Sequence, residues 1–309
     1  LRVRTSWGGV SNLKYGCIDA GTENCPCYLA ETGNCIYCSR LAGKDYCDCD
    51  WRGVCVFNEY RQNGEKIRAA RDEFTARIAD RKQYTEDLYT LVLDTGTGFA
   101  IKASAPGSFI SVKKPECSGW YSMPVSVIRS DTENGYIHIA VKKISAKSKR
   151  VLEEGEMLSV RGVFRNGIIG LGEAAKAKGP AAVVSKGIGF ASAAHFVNSY
   201  PDSNMYIDTD KICQELVRDY LPQGFRGRLK YVNLNEEKQD IAKELESYSC
   251  AVIAASEYFT EFFRANCGEK LRLAVLNNYN ICCGEGICGA CCDSGGNKMC
   301  KCCGIQGGF

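Results

Sequence analysis

The twenty cysteines of this 309-residue chain are concentrated towards its two ends. Eight lie between Cys17 and Cys55 and eight between Cys282 and Cys303, while the remaining four are scattered between these blocks. A secreted disulfide scaffold usually spreads its cysteines over a much shorter chain. Clustered thiols in a reducing compartment more often bind metal. The distribution therefore predicts an intracellular, cytoplasmic protein with a metal site near each end.

The rest of the composition is typical of a globular protein. Hydrophobic residues make up 45% of the chain and charged residues 24%, so a sizeable core can be buried. The 39 basic and 36 acidic residues give a net charge of only +3, which provides no electrostatic reason to bind nucleic acid or an anionic membrane. No apolar run approaches the roughly 18 residues of a membrane span. We expect a soluble protein of two or three domains.

The C-terminal block contains the spacing C-x4-C-x2-C at Cys283, Cys288 and Cys291. Plant-type ferredoxins bind a [2Fe–2S] cluster with this spacing and a fourth, more distant cysteine. Glycines between the cysteines would let the backbone approach the inorganic sulfides. Zinc is the alternative, but its sites favour paired C-x2-C units. We predict a [2Fe–2S] cluster in residues 278–309. The candidates for its fourth ligand are Cys300, which we favour, Cys302 and Cys303.

The N-terminal block, residues 1–57, is rich in Gly, Asp and Cys and has no sustained periodicity. Its eight thiols suffice for one or two four-cysteine sites, and an iron–sulfur site is our preferred interpretation, with zinc as the alternative. The spacing does not assign the cysteines to individual sites. The candidate ligands are Cys17, Cys25, Cys27, Cys35, Cys38, Cys47, Cys49 and Cys55.

A charged stretch follows the first cysteine block. Within it Ile67, Ala70, Phe74 and Ile78 recur at helical spacing, which predicts an amphipathic helix over residues 58–84. We interpret its apolar face as a packing surface, and residues 58–87 as a helical linker.

Residues 88–172 have the pattern of a small antiparallel barrel, because short strands alternate with turn signals such as Asn134-Gly135. The Asp-Thr-Gly sequence at Asp94 also occurs in aspartic proteases. Those enzymes need two such carboxylates, so we predict a hairpin turn here. The predicted strands are Tyr89–Leu93, Phe109–Val112, Val125–Ile128, Tyr136–Val141 and Met157–Val160.

Residues 173–277 alternate between strands and helices, which predicts a doubly wound parallel α/β domain. The first strand leads into Gly187 and Gly189, which are placed to admit a pyrophosphate at a helix N-terminus. Asp208 ends the next strand about 20 residues further on, where a carboxylate can bind a ribose 2′-hydroxyl. Capping of the following helix is an equally good interpretation of Asp208. The predicted strands are Ala181–Ser185, Met205–Asp208, Leu229–Leu234, Cys250–Ala255 and Leu271–Leu276.

From Tyr89 onwards these segments resemble the ferredoxin–NADP reductase superfamily, in particular the electron-transfer subunits of dihydroorotate dehydrogenase and sulfide dehydrogenase. The N-terminal block is similar to a further iron–sulfur module of anaerobic members. The resemblance implies a barrel that binds FAD, an α/β domain that binds NAD(P)H, and a C-terminal [2Fe–2S] segment.

The same resemblance suggests which residues bind the cofactors. Residues 124–126 resemble the Arg-Pro-(Leu/Phe)-Ser flavin strand, although Met123 replaces the arginine and so removes a bidentate phosphate contact. The implied flavin residues are Pro124, Val125, Ser126, Lys147, Ser148 and Lys149, and Asn166 and Gly167 belong to the segment that closes the barrel. The implied nucleotide residues are Gly187, Gly189, Asp208, Ser256 and Glu257.

Overall the sequence predicts an α+β multidomain iron–sulfur flavoprotein, an electron-transfer subunit that moves electrons between NAD(P)H, FAD and Fe–S centres. A larger oxidoreductase subunit or a ferredoxin would be its partner. Hydride transfer to a flavin needs no side-chain acid or base, so no catalytic residue is assigned. The alternative is a non-catalytic Fe–S relay or interaction subunit whose flavin and nucleotide sites are degenerate.

Overall fold

The computed structural model describes residues 15–49, 53–67, 71–174, 176–177, 179–278, 281 and 304–306. The chain divides into two compact units, one formed by Leu1–Asp72 with Tyr279–Phe309 and the other by Glu73–Asn278. The predicted C-terminal ligands lie outside the described residues; they are Cys283, Cys288, Cys291 and Cys300, with the alternatives Cys302 and Cys303.

The secondary-structure elements are numbered in chain order. The strands are β1 (Tyr15–Cys17), β2 (Glu73–Thr85), β3 (Leu88–Asp94), β4 (Phe109–Lys113), β5 (Met123–Asp131), β6 (Tyr136–Lys142), β7 (Met157–Phe164), β8 (Ile168–Ile169), β9 (Ala181–Lys186), β10 (Asn204–Asp208), β11 (Leu229–Tyr231), β12 (Cys250–Ala254), β13 (Arg272–Leu276) and β14 (Gly304–Gln306). The helices are α1 (Tyr28–Glu31), α2 (Val56–Gln62), α3 (Thr97–Ala103), α4 (Ala146–Val151), α5 (Leu171–Ala174), α6 (Phe190–Ser199), α7 (Gln214–Tyr220), α8 (Leu234–Leu245) and α9 (Glu257–Asn266).

The described residues of the first unit include two short strands and two short helices. Strand β1 pairs antiparallel with β14, and the buried apolar residues include Leu29 in α1, Val56 in α2 and Leu41 between the two helices. An ion pair between Arg71 and Asp19, 2.5 Å apart, is almost fully buried.

In the second unit, β2, β3, β6, β5, β4 and β7 close into a barrel in that order. Neighbouring strands are antiparallel. Alternate residues point inwards and form a core that includes Leu91, Leu93, Val127, Ile139 and Leu158. The predicted barrel and its five predicted strands are confirmed, with small differences at the strand ends.

The helix predicted over residues 58–84 is wrong beyond Gln62, because residues 73–85 form β2, the first strand of the barrel. Ala76 is buried in the barrel core, and Phe74 and Ile78 pack against that core. These three residues alternate at the period of a strand, so one face of β2 is apolar while the rest is exposed or half-buried. The barrel therefore begins at Glu73 rather than at residue 88. The division into segments 1–57, 58–87, 88–172, 173–277 and 278–309 otherwise stays a prediction.

The turn at Asp94 also differs from expectation. Gly96, with φ of 77°, leads the chain into helix α3 rather than back into a hairpin. A glycine tolerates this left-handed conformation without the clash that a Cβ would cause.

The α/β part is a six-stranded sheet in the order β11, β10, β9, β12, β13, β8. The first five strands are parallel, and β8 adds an antiparallel edge. Because the order reverses beside β9, right-handed crossovers place helices on both faces. The predicted doubly wound fold is confirmed. None of the described helices has both the length and the apolar character needed to cross a membrane.

Strand β5 is buried on both faces. Val125 and Val127 belong to the barrel core, whereas Ile128, on the opposite face, belongs to the core of the α/β part. Outward-facing Leu88 and Ala140 of the barrel wall join that second core. The barrel and the sheet therefore share a wall.

Candidate functional site

The point where the strand order reverses lies between β9 and β12. Ligands of doubly wound sheets bind beyond the carboxyl ends of the strands at such a point. The loops that follow these two strands contain Gly187 and Gly189 on one side and Ser256 and Glu257 on the other. All four belong to the predicted nucleotide set, and the topology brings them to the same edge of the sheet.

The two glycines have different structural roles. Gly187 has φ of +59°, and a Cβ there would meet only Lys211 at an ordinary 3.6 Å. A Cβ on Gly189 would lie 2.0 Å from the carbonyl oxygen of Ala254. Gly189 thus allows the start of α6 to approach β12, whereas Gly187 supplies a left-handed turn that residues with a Cβ rarely adopt.

Asp208, at the end of β10, already has three hydrogen-bond partners. Lys186 Nζ and the Leu234 backbone N–H donate to its Oδ2, and the Asp210 backbone N–H donates to its Oδ1. Burial acts to raise the pKa of Asp208, but these donors outweigh it and hold the pKa below its usual value. The carboxylate therefore accepts hydrogen bonds from its own loop, from Lys186 at the end of β9 and from the start of α8. A ribose hydroxyl would have to share the carboxylate with these three donors.

Residues 255–257 are held by the end of the neighbouring strand. Asn278 Nδ2 donates to the carbonyl oxygen of Ala255 at 2.7 Å. Ser256 is the N-cap residue of α9, and Glu257 lies in its first turn. Both side chains are exposed, so they face the solvent at the switch point.

The predicted flavin strand meets helix α6. Ser192 Oγ donates to Ser126 Oγ at 2.9 Å, which joins the outer face of β5 to the helix that follows the glycine loop. Pro124, two residues earlier on the same face, is exposed, and Val125 points into the barrel. The exposed end of β5 is therefore next to the switch-point edge.

The second predicted flavin segment is tied to the start of β5. Lys147 Nζ donates to the carbonyl oxygen of Ser122 at 2.8 Å. Ser148 is buried and forms a capping box with Ser145 at the start of α4. Lys149 is exposed. The structure thus joins Lys147 to the residue just before β5, with Ser148 in a structural role.

Asn166 and Gly167 form part of a backbone junction at the closing segment. The Gly167 N–H donates to Gly107, and the Asn277 N–H donates to Gly167. Asn277 Nδ2 also donates to the carbonyl oxygen of Asn166 at 3.0 Å. A Cβ on Gly167 would lie 2.5 Å from the oxygen of Gly107, so the approach of these segments requires glycine.

The N-terminal thiols enclose a cavity in the first unit. Its lining includes Cys17, Cys25, Cys27 and Cys35. Burial raises the pKa of Cys25 to about 12 and raises those of Cys27 and Cys35, while backbone N–H donors to each sulfur oppose the rise. In the part of the chain that the structure describes, no three His, Cys, Asp or Glu side chains are arranged to hold a metal ion.

Backbone N–H donors to sulfur are nonetheless what a bound thiolate requires. The Cys38 N–H donates to Cys35 Sγ at 3.3 Å, and the backbone of Gly21 and Leu29 supplies donors to Cys25 and Cys27. Such hydrogen bonds stabilise the charged sulfur that a metal or cluster ligates. These donors favour the thiolate form at the three sulfurs, but burial outweighs them and the pKa values are raised overall.

The two histidines lie away from these positions. His138 Nδ1 is 3.2 Å from the Tyr220 hydroxyl, and burial, assisted by the charge of Arg129, lowers its pKa to about 4. Burial also lowers the pKa of His195 to about 4. Both rings are therefore neutral at neutral pH.

Sequence reasoning missed Lys186, Ser192 and Asn278, which connect the predicted residues to one another. Lys186 had a visible signal, since it is a basic residue directly before Gly187. Ser192 and Asn278 had none, because their partners are distant in the sequence.

No protein-family model and no curated protein matches the sequence. Solved structures do match. A NADH-dependent reduced ferredoxin-NADP oxidoreductase, studied for flavin-based electron bifurcation, has a TM-score of 0.53 and 16% identity, over 70% of this chain and 80% of that one. Phthalate dioxygenase reductase, a modular protein for electron transfer from pyridine nucleotides to [2Fe–2S], has a TM-score of 0.50 and 14% identity, over 68% and 69%. A flavohemoglobin from Malassezia yamatoensis with bound FAD and heme also has a TM-score of 0.50. This chain shares their fold.

Proposed function

We propose that the chain is the electron-transfer subunit of an NAD(P)H-linked oxidoreductase, moving electrons between NAD(P)H, FAD and iron–sulfur centres to or from a partner oxidoreductase or ferredoxin. The observation that carries the proposal is the hydrogen bond between Ser126 and Ser192. It joins the predicted flavin strand to the helix that follows the glycine loop at the switch point. Proteins of the same fold that transfer electrons from pyridine nucleotides support it.

The residues around the exposed end of β5 fit FAD in part. Pro124 offers an exposed surface, and Lys147 and Lys149 provide two cations beside it. These lysines would replace the phosphate contact that Met123 cannot make, as point charges instead of a bidentate fork. FAD, when bound, supplies the exchange between a two-electron hydride donor and one-electron carriers.

The chain's contribution at the nucleotide site would be to bind and orient the dinucleotide. Gly187 leaves room for the pyrophosphate, and Lys186 supplies a cation beside it. Ser256 and Glu257 would lie on the opposite side of the switch point. Asp208 would orient Lys186 and share its carboxylate with the ribose. The N-terminal thiols and the predicted C-terminal ligands would hold iron–sulfur clusters, which supply one-electron transfer when bound.

The test is purification under anaerobic conditions, followed by measurement of flavin, iron and sulfide and an assay of NADH- and NADPH-dependent viologen reduction. We expect one FAD per chain, iron and sulfide in excess of one [2Fe–2S] cluster, and reductase activity. In a Lys147→Met/Lys149→Met variant we expect weaker FAD binding with unchanged iron content. Lys243→Met, an exposed lysine on α8, is the matched control. Absence of both flavin and turnover would overturn the proposal.

The alternative of a relay or interaction subunit is favoured by two observations. Asp208 is committed to internal hydrogen bonds, and Met123 replaces the expected arginine. Such a chain would keep its clusters but leave nucleotide chemistry to a partner. Iron and sulfide without flavin, in protein incubated with excess FAD, would establish this alternative.

A further inference from the structure

Two exposed thiols of the first unit lie in direct contact. Cys47 Sγ and Cys49 Sγ are 3.5 Å apart, and both residues are exposed. A disulfide places its sulfurs about 2.05 Å apart, so rotation of the two side chains over about 1.5 Å in total would close the bond. The structure thus holds these two sulfurs close to the separation of a disulfide.

The loop that contains Cys47 is held by a buried serine. Ser39, which is 4% exposed, donates from its Oγ to the carbonyl oxygen of Tyr46 at 3.0 Å and accepts from the Asp48 N–H at 3.2 Å. Its hydroxyl therefore holds both neighbours of Cys47. The Asp48 carboxylate also pairs with Lys44 Nζ at 3.5 Å. The position of the loop is thus set by groups other than the thiols themselves.

The two thiols line a cavity of about 260 Å³. Arg40 and Phe57 line it too, and the Arg40 guanidinium lies 4.8 Å from the centre of the Phe57 ring. Because a water occupies about 30 Å³ in the liquid, the cavity has room for a group of several non-hydrogen atoms beside the sulfurs. Arg40 supplies a cation that can bind a carboxylate of such a group.

Three other thiols of the unit are less suited to attack a disulfide. Burial raises the pKa of Cys25 to about 12 and raises the pKa values of Cys27 and Cys35, whereas the thiolate is the attacking form. The described side chains show no three potential ligands arranged to hold a metal ion, but a disulfide needs only two sulfurs in contact. In a reducing compartment such bonds are usually transient, and they are catalytic or redox-sensing.

We propose that Cys47 and Cys49 form a redox-active dithiol that reacts with a low-molecular-weight disulfide bearing carboxylates. The thiolate of one cysteine attacks a sulfur of that disulfide, whose S–S bond breaks and releases the first small thiolate. The other cysteine then attacks the mixed disulfide, forms the Cys47–Cys49 bond and releases the second small thiolate. Two electrons pass to the small disulfide, and the two cysteine protons leave with the released thiolates.

This site goes beyond the proposed function, because it needs neither flavin nor nucleotide. It removes Cys47 and Cys49 from the candidate ligands of an iron–sulfur group and leaves the other N-terminal cysteines for that role. Disulfide formation and the content of flavin and iron are measured separately. Failure of the dithiol and failure of the proposed function are therefore distinguishable.

The test uses the full chain, purified anaerobically and incubated with glutathione disulfide. Trypsin cuts after Lys44 and after Arg52, so one peptide contains Cys47 and Cys49 and no other cysteine. After alkylation with iodoacetamide, we expect this peptide to have lost two hydrogen atoms and to carry no alkyl group, while the iron content is unchanged. Cys55, which is exposed in the same cavity but lies on the next tryptic peptide, is the control and should remain alkylated.

Two serine variants and a second probe test the separate steps. In Cys47→Ser and Cys49→Ser the internal bond cannot form, so at least one variant should retain glutathione on its remaining cysteine, with the iron content of the parent protein. Cystamine, a disulfide with ammonium groups in place of carboxylates, should oxidise the pair more slowly than glutathione disulfide.

Four results would overturn the proposal. They are absence of the Cys47–Cys49 disulfide, loss of alkylation at Cys55 to the same extent, loss of iron or zinc in either serine variant, and oxidation by cystamine that is as fast as oxidation by glutathione disulfide. Loss of metal would identify the two cysteines as ligands instead.

Discussion

Replacement of Asp208 by asparagine is the most informative single change in the second unit. The Asp208 side chain is 2% exposed and its partner Lys186 is 10% exposed. Asparagine keeps the shape but removes the negative charge, and its single carbonyl oxygen can accept from only one of the Asp210 and Leu234 N–H groups, which bond to different carboxylate oxygens. The variant therefore removes the ion pair together with one of these two hydrogen bonds.

The structure gives the size of the expected loss. Breaking a buried ion pair by removing one partner typically costs about 3–5 kcal/mol, because the other charge is left uncompensated. Here Asp210 lies 3.4 Å from Lys186 and is exposed, so it can compensate in part. We therefore expect Asp208→Asn to lower the free energy of unfolding by about 2–4 kcal/mol at pH 7.

The pH dependence identifies the cause. Because the pKa of Asp208 is lowered in the folded protein, its stabilising contribution is fully present above the unfolded value of about 3.9. It is lost as the pH falls through the folded value. The difference between the parent protein and Asp208→Asn should therefore be largest at neutral pH and shrink below about pH 4. Urea unfolding followed by circular dichroism at pH 7 and at lower pH measures this.

Asp202→Asn is the matched control. Asp202 pairs with Arg226 at 2.7 Å, but the two side chains are 74% and 65% exposed. An exposed pair contributes about 0–1 kcal/mol, so this variant should be nearly as stable as the parent. Equal stability of the two variants, or a loss in Asp208→Asn that is the same at low and neutral pH, would refute the argument for a buried pair.

Two further changes test the packing and the buried histidines. Gly189→Ala places a Cβ 2.0 Å from the oxygen of Ala254 and should lower the free energy of unfolding, measured in urea, by at least about 1–3 kcal/mol. Gly98 lies in helix α3 with open space around it, so Gly98→Ala should raise the free energy of unfolding by about 0.5–1 kcal/mol. Equal effects of the two substitutions would contradict the close approach of α6 to β12. Because burial lowers the pKa of His138 to about 4, the unfolded chain binds a proton first, so stability should fall as the pH drops from about 6.5. His138→Gln should reduce that fall, and a ring that titrates near 6.5 by nuclear magnetic resonance would show that it is solvated.

Most of the second unit could be predicted from local patterns. The short barrel strands and the strand–helix alternation each repeat at a period that the sequence displays. Strand β2 was mistaken for a helix because Phe74 and Ile78 are also four residues apart, and the intervening Ala76 is a weak apolar signal. Residues 73–85 form a strand because they pair with β3 and β7, and this long-range pairing cannot be read from a local sequence pattern.

The candidate site could be predicted as a set of residues but not as a set of contacts. The glycines and Asp208 have fixed spacings, whereas the partners of Asp208 are residues 186, 210 and 234, which only the parallel sheet brings together.

The double burial of β5 has a consequence for how the second unit unfolds. A strand whose Val127 lies in one core and whose Ile128 lies in the other cannot leave either core alone. The barrel and the sheet should therefore unfold cooperatively, and a chain cut between them would leave an exposed apolar wall on each half. Amide hydrogen exchange would register this as equal protection along β5 and β9, with both strands opening only when the entire unit does.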